Sequence, residues 1–191
     1  FKGNKEKTSE VIFEGLKLLE YRGYDSCGIG VIDNNEIKTF KWKGRVRKTE
    51  KRFIESKIKS PIAIGHTRWA THGEPNDVNS HPITSFNKKF AIVHNGIIEN
   101  YRELKMVLIE KGYEFYTETD TEVLVNFIEL CVSNAKHVDK GISYALSKLE
   151  GAFGIVLIQR SNTDIMYAAR KGSPLAFGKK RDNFFIASDA T

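Results

Sequence analysis

The densest group of chemically capable side chains in this sequence is a nine-residue run from Gly65 to Gly73. It reads Gly-His-Thr-Arg-Trp-Ala-Thr-His-Gly and follows a short apolar segment. The guanidinium of Arg68 can bind a carboxylate through two parallel hydrogen bonds, and Trp69 can form a wall or lid. A polar surface loop with one buried tryptophan is the alternative. The lack of periodicity up to Pro82 predicts a long loop, and long loops in compact domains are often functional.

Three histidines in and after this run raise the question of a metal site. The spacing of His66, His72 and His81 matches no common zinc pattern, and no thiolate or acidic residue is placed to complete one. Histidines hydrogen-bonded within the loop are the favoured interpretation. The sequence therefore predicts no metal.

Two further positions each allow a structural and a chemical role. Asn95-Gly96 follows an apolar strand pattern and by itself favours a two-residue hairpin turn. The alternative is an oxyanion hole, in which the Asn95 amide and the Gly96 N–H donate to one oxygen. Asp120 stands at a predicted helix start, where the helix dipole favours an acid, but a carboxylate there could also bind a substrate ammonium.

The segment from Tyr21 to Ser26 is predicted to be a turn containing a glycine. Its Arg22 could bind an anion or form a salt bridge with Asp25. The adjacent Cys27 is a possible nucleophile, but no histidine is near it in sequence, and free cysteines are more often buried and inert.

Periodic patterns predict the elements that position these residues. Helices are predicted at 8–19, 48–58, 101–111 and 138–149. A further helix is predicted in the apolar stretch that begins near Thr119 and Glu122, because these two residues have the spacing of a capping box. Strands are predicted at 28–32, 36–42, 61–67, 90–94, 152–159, 164–170, 175–178 and 183–188. Short hairpin connections between strands argue against a purely parallel sheet and favour packed sheets with helices outside.

Composition excludes several classes of protein. The 191 residues are 40% hydrophobic, which is sufficient for one domain with a core, and two cysteines give no disulfide framework. No apolar run is long enough for a membrane span. Residues 1–60 hold 15 Lys and Arg against 9 Asp and Glu, and the segment from Lys38 to Lys59 is strongly basic. A solvated basic face is favoured there over a nucleic-acid site.

Taken together, five segments resemble a known family. They are Tyr21–Ser26, Gly65–Gly73, Val93–Asn100, Thr117–Glu122 and Arg170–Leu175. Their order and content are similar to the glutaminase domain of the glucosamine-6-phosphate synthases (glutamine:fructose-6-phosphate amidotransferases), which are class II amidotransferases. The resemblance runs nearly end to end, and the string from His66 to Pro75 is its most specific part.

The resemblance implies an α+β fold with N-terminal-nucleophile architecture, a four-layer αββα sandwich of mainly antiparallel sheets. It also implies a mechanism, in which a cysteine at the mature N-terminus attacks the glutamine side-chain amide and its own α-amine serves as base. In that family Arg68 would bind the glutamine α-carboxylate and Asp120 its α-ammonium. Asn95 and Gly96 would form the oxyanion hole.

The remaining implied roles concern the edge of the site. Trp69 would gate the route of ammonia to the sugar domain, and Thr71 and His72 would belong to a loop that closes over glutamine. Arg22 and His81 would support this region. The resemblance implies no cofactor and no metal.

The family's N-terminal cysteine is not among these residues, and we expect it about five residues upstream of Phe1, so that residues 1–191 alone would not hydrolyse glutamine. We expect a domain truncated at both ends, with the sugar isomerase domains elsewhere in the same polypeptide. We expect the full-length protein to be a cytoplasmic homodimer that binds neither nucleic acid nor a membrane. Three alternatives stay open: a class II amidotransferase with another acceptor, a glutamine-binding pseudoenzyme, and a basic anion-binding domain. Salt-sensitive binding would mark the last.

Overall fold

The structure, a computed structural model, describes residues 1–49, 51, 59–69, 74 and 76–189. Its helices are α1 (Thr8–Leu19), α2 (Tyr101–Glu110), α3 (Asp120–Ser133) and α4 (Val138–Ser147). Its strands are β1 (Ser26–Asp33), β2 (Glu36–Lys43), β3 (Ala63–Arg68), β4 (Ile83–Thr84), β5 (Phe90–Gly96), β6 (Phe153–Gln159), β7 (Asn162–Lys171), β8 (Ala176–Lys180) and β9 (Asn183–Ala187). Short 3₁₀ turns lie at Glu20–Arg22 and Val46–Thr49.

The first sheet has the order β2-β1-β3, with both pairings antiparallel. The β1–β2 hairpin turns at Asn34 and Asn35, both with positive φ, a conformation that asparagine tolerates better than most residues. Helix α1 packs Phe13 and Leu16 against Ile29 of β1. Because these apolar residues recur at helical spacing, α1 covers the outer face of this sheet.

The second sheet has the order β4-β5-β6-β7, again entirely antiparallel. Helices α2, α3 and α4 cover its outer face with a cluster that includes Leu108, Leu124 and Ile142. The buried Glu129 of α3 accepts hydrogen bonds from Ser85 and Asn87, which fixes the β4–β5 turn to the helix layer.

The two sheets face each other through a third apolar cluster. Ile32 and Ile64 of the first sheet pack against Val93, Val156 and Ile158 of the second. The molecule is therefore a sandwich with a helix layer on each outer face. The β8–β9 hairpin adjoins the first sheet through Lys2, whose backbone bridges both Ile62 and Phe184.

Most predicted elements are confirmed, α1 with its predicted bounds. The capping box at the start of α3 is confirmed in part. Thr119 accepts a hydrogen bond from the Glu122 N–H, but the Glu122 carboxylate accepts from the backbone of Tyr116 and Thr117 instead of Thr119. The predicted basic helix at 48–58 lies almost entirely outside the described residues.

Candidate functional site

A cavity of about 540 Å³ lies where the ends of both sheets meet the start of α3. Its walls are β3, the end of β5, α1, β9 and the segment 173–175. Seven of the nine predicted site residues line it: Arg22, Arg68, Trp69, His81, Asn95, Gly96 and Asp120. The other two, Thr71 and His72, lie outside the described residues.

Arg68 is the last residue of β3 and is only 4% exposed, although it lines the cavity. The segment around Gly23 holds it in place. The Asp25 N–H donates to the Arg68 carbonyl, and a Cβ on Gly23 would lie 2.7 Å from the Arg68 backbone. The Arg68 guanidinium also donates to the Glu74 carbonyl at 3.4 Å. Burial lowers the pKa of Arg68, and the charge of Asp120 opposes this shift.

Asp120 is the first residue of α3 and is 6% exposed. Its carboxylate accepts a hydrogen bond from the Ile98 N–H at 2.9 Å, and the positive end of the helix dipole stabilises its charge. The two opposite charges of Asp120 and Arg68 therefore border one cavity. This arrangement matches the zwitterion of a free α-amino acid.

Asn95 and Gly96 do not form the hairpin turn that their dipeptide favours. Both lie in β5, paired with Gly154 and Phe153 of β6. The Ile97 N–H donates to the Ala152 carbonyl, so Ile97 and Ala152 form a hydrogen-bonded pair. Hydrogen-bonded and non-hydrogen-bonded pairs alternate along antiparallel strands, so the next pair, Gly96 and Phe153, is not hydrogen-bonded. The Gly96 N–H therefore points away from β6. A φ of 128° and a Cβ position 2.1 Å from the Ala152 oxygen require glycine here.

Three buried histidines lie behind Asn95. His66 Nε2 lies 2.8 Å from Asn95 Oδ1, and the His66 and His81 rings meet edge to face at 4.5 Å. Thr121 bridges His81 and His94, with 2.9 Å to each ring. Burial lowers the pKa of all three histidines, that of His66 to about 4, so the rings are neutral at pH 7.

The sequence alone did not identify His66, His94 or Thr121 as parts of the candidate site. The alternation of Ile64, His66 and Arg68 along β3 could have placed His66 on the cavity side, because alternate residues of a strand share a face. For His94 and Thr121 the sequence gives no comparable signal, since their contact joins β5 to α3 across 27 residues.

Two predicted residues lie at the rim of the cavity. Trp69 is 59% exposed, and its ring lies 5.6 Å from that of Tyr24. Arg22 donates to the Ser188 carbonyl at 2.8 Å and pairs with Asp189 at 3.9 Å. These contacts connect the 3₁₀ turn that follows α1 to the residues just after β9.

Neither cysteine lies in the cavity. Cys27 is buried under α1, where burial raises the pKa of its thiol to about 11, and Cys131 lies in the helix layer. Among the described residues there is no group of three or more His, Cys, Asp or Glu side chains able to hold a metal ion. No helix in the described part of the chain is long and apolar enough to cross a membrane.

Comparison with known proteins gives one consistent family. A family model for the glutamine amidotransferase domain matches residues 66–191. The glutamine--fructose-6-phosphate aminotransferase [isomerizing] of Clostridium perfringens is 46% identical over 97% of this chain and 30% of that protein. That of Bacteroides thetaiotaomicron is 47% identical over 98% of this chain and 31% of that protein. The chain thus spans less than a third of the length of these curated relatives.

Among solved structures, the glutamine phosphoribosylpyrophosphate amidotransferase from B. subtilis has a TM-score of 0.81 and 30% identity. The match covers 98% of this chain and 40% of that chain. Together with the two face-to-face antiparallel sheets and their outer helices, this likeness confirms the fold class predicted from the sequence.

Proposed function

The chain belongs to the glutamine amidotransferase domain family, and we propose that its cavity binds L-glutamine for hydrolysis to glutamate and ammonia. The observation that supports this most directly is the buried pair of opposite charges, Arg68 and Asp120, bordering one cavity. The Arg68 guanidinium binds the glutamine α-carboxylate, and Asp120 binds the α-ammonium. The glutamine side chain then extends toward Asn95 and Gly96.

Asn95 and Gly96 supply the oxyanion hole in this proposal. The β6 ladder leaves the Gly96 N–H unused, and Asn95 accepts at Oδ1 from His66, which leaves its Nδ2 group to donate. Both donors would stabilise the negative oxygen that forms when the amide carbon is attacked. Loss of one such donor typically lowers kcat by about a hundredfold to a thousandfold.

The nucleophile in this proposal is a cysteine N-terminal to Phe1. The pairing of Phe1 and Lys2 with Ala63 and Ile62 is antiparallel. Continued backward for about five residues at about 3.3 Å each, this pairing runs along β3 and reaches Arg68. A thiol delivered there would stand beside the cavity, and neither Cys27 nor Cys131 is placed to supply one.

The chemistry follows from a thiol that carries its own α-amine. The amine accepts the thiol proton, and the sulfur attacks the glutamine amide carbon. The C–N bond then breaks, the leaving nitrogen takes the proton, and ammonia departs from a glutamyl thioester. Water attacks the thioester carbon, which releases glutamate and regenerates the thiol.

The acceptor of the ammonia is proposed from the relatives, whose names specify fructose 6-phosphate. The product would be glucosamine 6-phosphate, made by a C-terminal sugar isomerase part of the same cytoplasmic, homodimeric protein. Trp69, exposed at the cavity rim, would gate ammonia transfer. Thr71 and His72 would close over glutamine, and Arg22 and His81 would support the site.

An electrophilic glutamine analogue tests this proposal. The full-length protein is treated with the analogue, its intact mass is measured, and the modified residue is located by peptide mapping. We expect a single adduct on an N-terminal cysteine and protection by excess glutamine. The C27S and C131S variants serve as controls and should label as the wild type does. Labelling of Cys27 or Cys131, or no labelling, would instead favour a pseudoenzyme or a binding domain.

A further inference from the structure

A continuous chain of side-chain hydrogen bonds runs from Asn95 into the protein interior. It passes from Asn95 Oδ1 to His66 Nε2 at 2.8 Å and from His66 Nδ1 to His81 Nδ1 at 3.3 Å. From His81 Nε2 it continues to Thr121 Oγ1, and from there to His94 Nδ1, at 2.9 Å each. Apart from Asn95, every residue of this chain of hydrogen bonds is at least 91% buried.

The number of protons in this chain allows two directions, and the first leaves the Asn95 NH2 group facing the cavity. A neutral imidazole has one N–H and one acceptor nitrogen, and a hydroxyl has one O–H. If His66 donates from Nε2 to Asn95 Oδ1, its Nδ1 accepts from His81. His81 Nε2 then accepts from the Thr121 hydroxyl, whose oxygen in turn accepts from His94 Nδ1. Every link has one donor and one acceptor, and the Asn95 NH2 group is left to face the cavity.

The reverse direction is less favourable at the far end of the chain. With all donors reversed, Asn95 would present its carbonyl oxygen to the cavity, and His94 Nε2 would carry a hydrogen. His94 Nε2 is buried and has no hydrogen-bond partner among the described residues. An orphaned buried N–H is rarer in proteins than an orphaned acceptor, so the forward direction is preferred. Neutral rings are required in both cases, and the burial that lowers the pKa of His66 provides them.

We propose that His66 is a positioning residue that holds the Asn95 amide with its NH2 group toward the substrate, and that His81, Thr121 and His94 fix the tautomer of His66. This rests on the proposed function, since it assigns to the buried chain the orientation of one oxyanion donor. Among the described residues none accepts a hydrogen bond from Asn95 Nδ2, so His66 is the contact that orients this amide. His66 lines the cavity beside Asn95, and in this proposal it acts through its hydrogen bond to Asn95.

The first test compares two replacements of His66 in the full-length enzyme. His66→Gln keeps an N–H near the position of Nε2, whereas His66→Asn is too short to reach Asn95. We expect His66→Asn to lower the kcat for glutamine hydrolysis by at least about tenfold, with KM for glutamine changed by less than about threefold. His66→Gln should restore most of the lost kcat. Equal losses in both variants would overturn the proposal.

A double-mutant cycle with Asn95→Ala separates positioning from general disruption of the site. If His66 acts through Asn95, His66→Asn should cause little further loss in the Asn95→Ala background. The same tenfold loss in both backgrounds would overturn the role of His66 but leave the proposed function intact. No loss of kcat in Asn95→Ala alone would instead refute the oxyanion role of Asn95, and with it the proposal.

Thr121 provides a second pair of variants, should His66→Asn fail to fold. Thr121→Val removes the hydroxyl that joins His81 to His94 at nearly constant volume, and Thr121→Ser retains it. We expect Thr121→Val to lower kcat by severalfold in the wild-type background and to have little effect with Asn95→Ala. Thr121→Ser should match the wild type within about twofold. A Thr121→Val enzyme with wild-type kcat would contradict the chain of hydrogen bonds.

Discussion

The carboxylate of Asp120 combines two roles that its sequence position alone could not separate. It begins α3, where the helix dipole favours a negative charge, and it accepts from the Ile98 N–H. It also lines the cavity opposite the charge of Arg68. A purely structural acid would need only its place at the helix start and the hydrogen bond from Ile98. Binding of an α-ammonium also requires that the negative charge face the cavity, and enzyme kinetics can measure this requirement.

We expect Asp120→Asn to raise KM for glutamine by at least about tenfold, because it retains an acceptor for Ile98 but removes the charge that binds the α-ammonium. Glutaramate, which lacks the α-amine, should lose much less affinity than glutamine does. Steady-state kinetics with both substrates tests this. Asp139→Asn, in the first turn of α4, is the matched control with unchanged kinetics. Equal losses for glutamine and glutaramate would point to a structural role only.

Residue types in the sequence raised Arg68, Asn95 and Asp120 as candidates, but the choice of their chemical over their structural roles came from the family resemblance, and neither source arranged them in space. The guanidinium of Arg68 and the amide of Asn95 suggested anion and oxyanion binding from their chemistry. Their proximity depends on β3 and β5 lying in facing sheets, and sequence spacing does not encode that distance. His94 and Thr121 were missed for the same reason, because their contact exists only after β5 packs against α3.

Among the elements, the end of β5 differs most from its local sequence signal. Asn95-Gly96 favours a two-residue turn, but the strand continues, because both residues pair with β6. The positive φ that the turn would have used remains at Gly96. By contrast, α1 and the β1–β2 hairpin were predictable, since their apolar periodicity and turn residues agree with their final packing.

Replacement of Gly96 by alanine should therefore be more damaging than the same change at another positive-φ glycine. At Gly112, which also has positive φ, a Cβ would meet nothing within 4 Å. We expect Gly112→Ala to lower the free energy of unfolding by about 1 kcal/mol from backbone strain alone. Gly96→Ala should lower it by at least about 3 kcal/mol, because its Cβ would also collide with the Ala152 carbonyl.

Urea unfolding of both variants measures this difference. Gly96→Ala should also lower glutaminase kcat, because any shift of β5 moves the proposed oxyanion donors, whereas Gly112→Ala should leave kcat unchanged. Similar free energies of unfolding in the two variants would mean that β5 adapts to the side chain without the collision.

At the scale of the whole molecule, the four layers explain why a polar site can exist between two apolar sheets. Gly28 in β1 leaves room between the sheets, where a Cβ would lie 2.3 Å from the His81 carbonyl. His81 and Pro82 fill that space and place polar groups beside β3. The inter-sheet core thus ends at the buried histidines, and Ile64, Val93 and Val156 of that core also line the cavity.

The same burial predicts how the stability of the whole domain depends on pH. His66, His81 and His94 have pKa values lowered by desolvation, that of His66 to about 4, whereas in the unfolded chain they protonate near pH 6.5. Between these values the unfolded state binds more protons, so the contribution of these three histidines to the free energy of unfolding is constant above about pH 7 and falls as pH drops below 6.5. Each histidine lowers the free energy of unfolding by at most about 1.4 kcal/mol for each pH unit below 6.5. Urea titrations from pH 7.5 to 5 should show this decline, with a smaller slope in His66→Gln than in the wild type. A flat profile would mean that the three rings accept protons in the folded state.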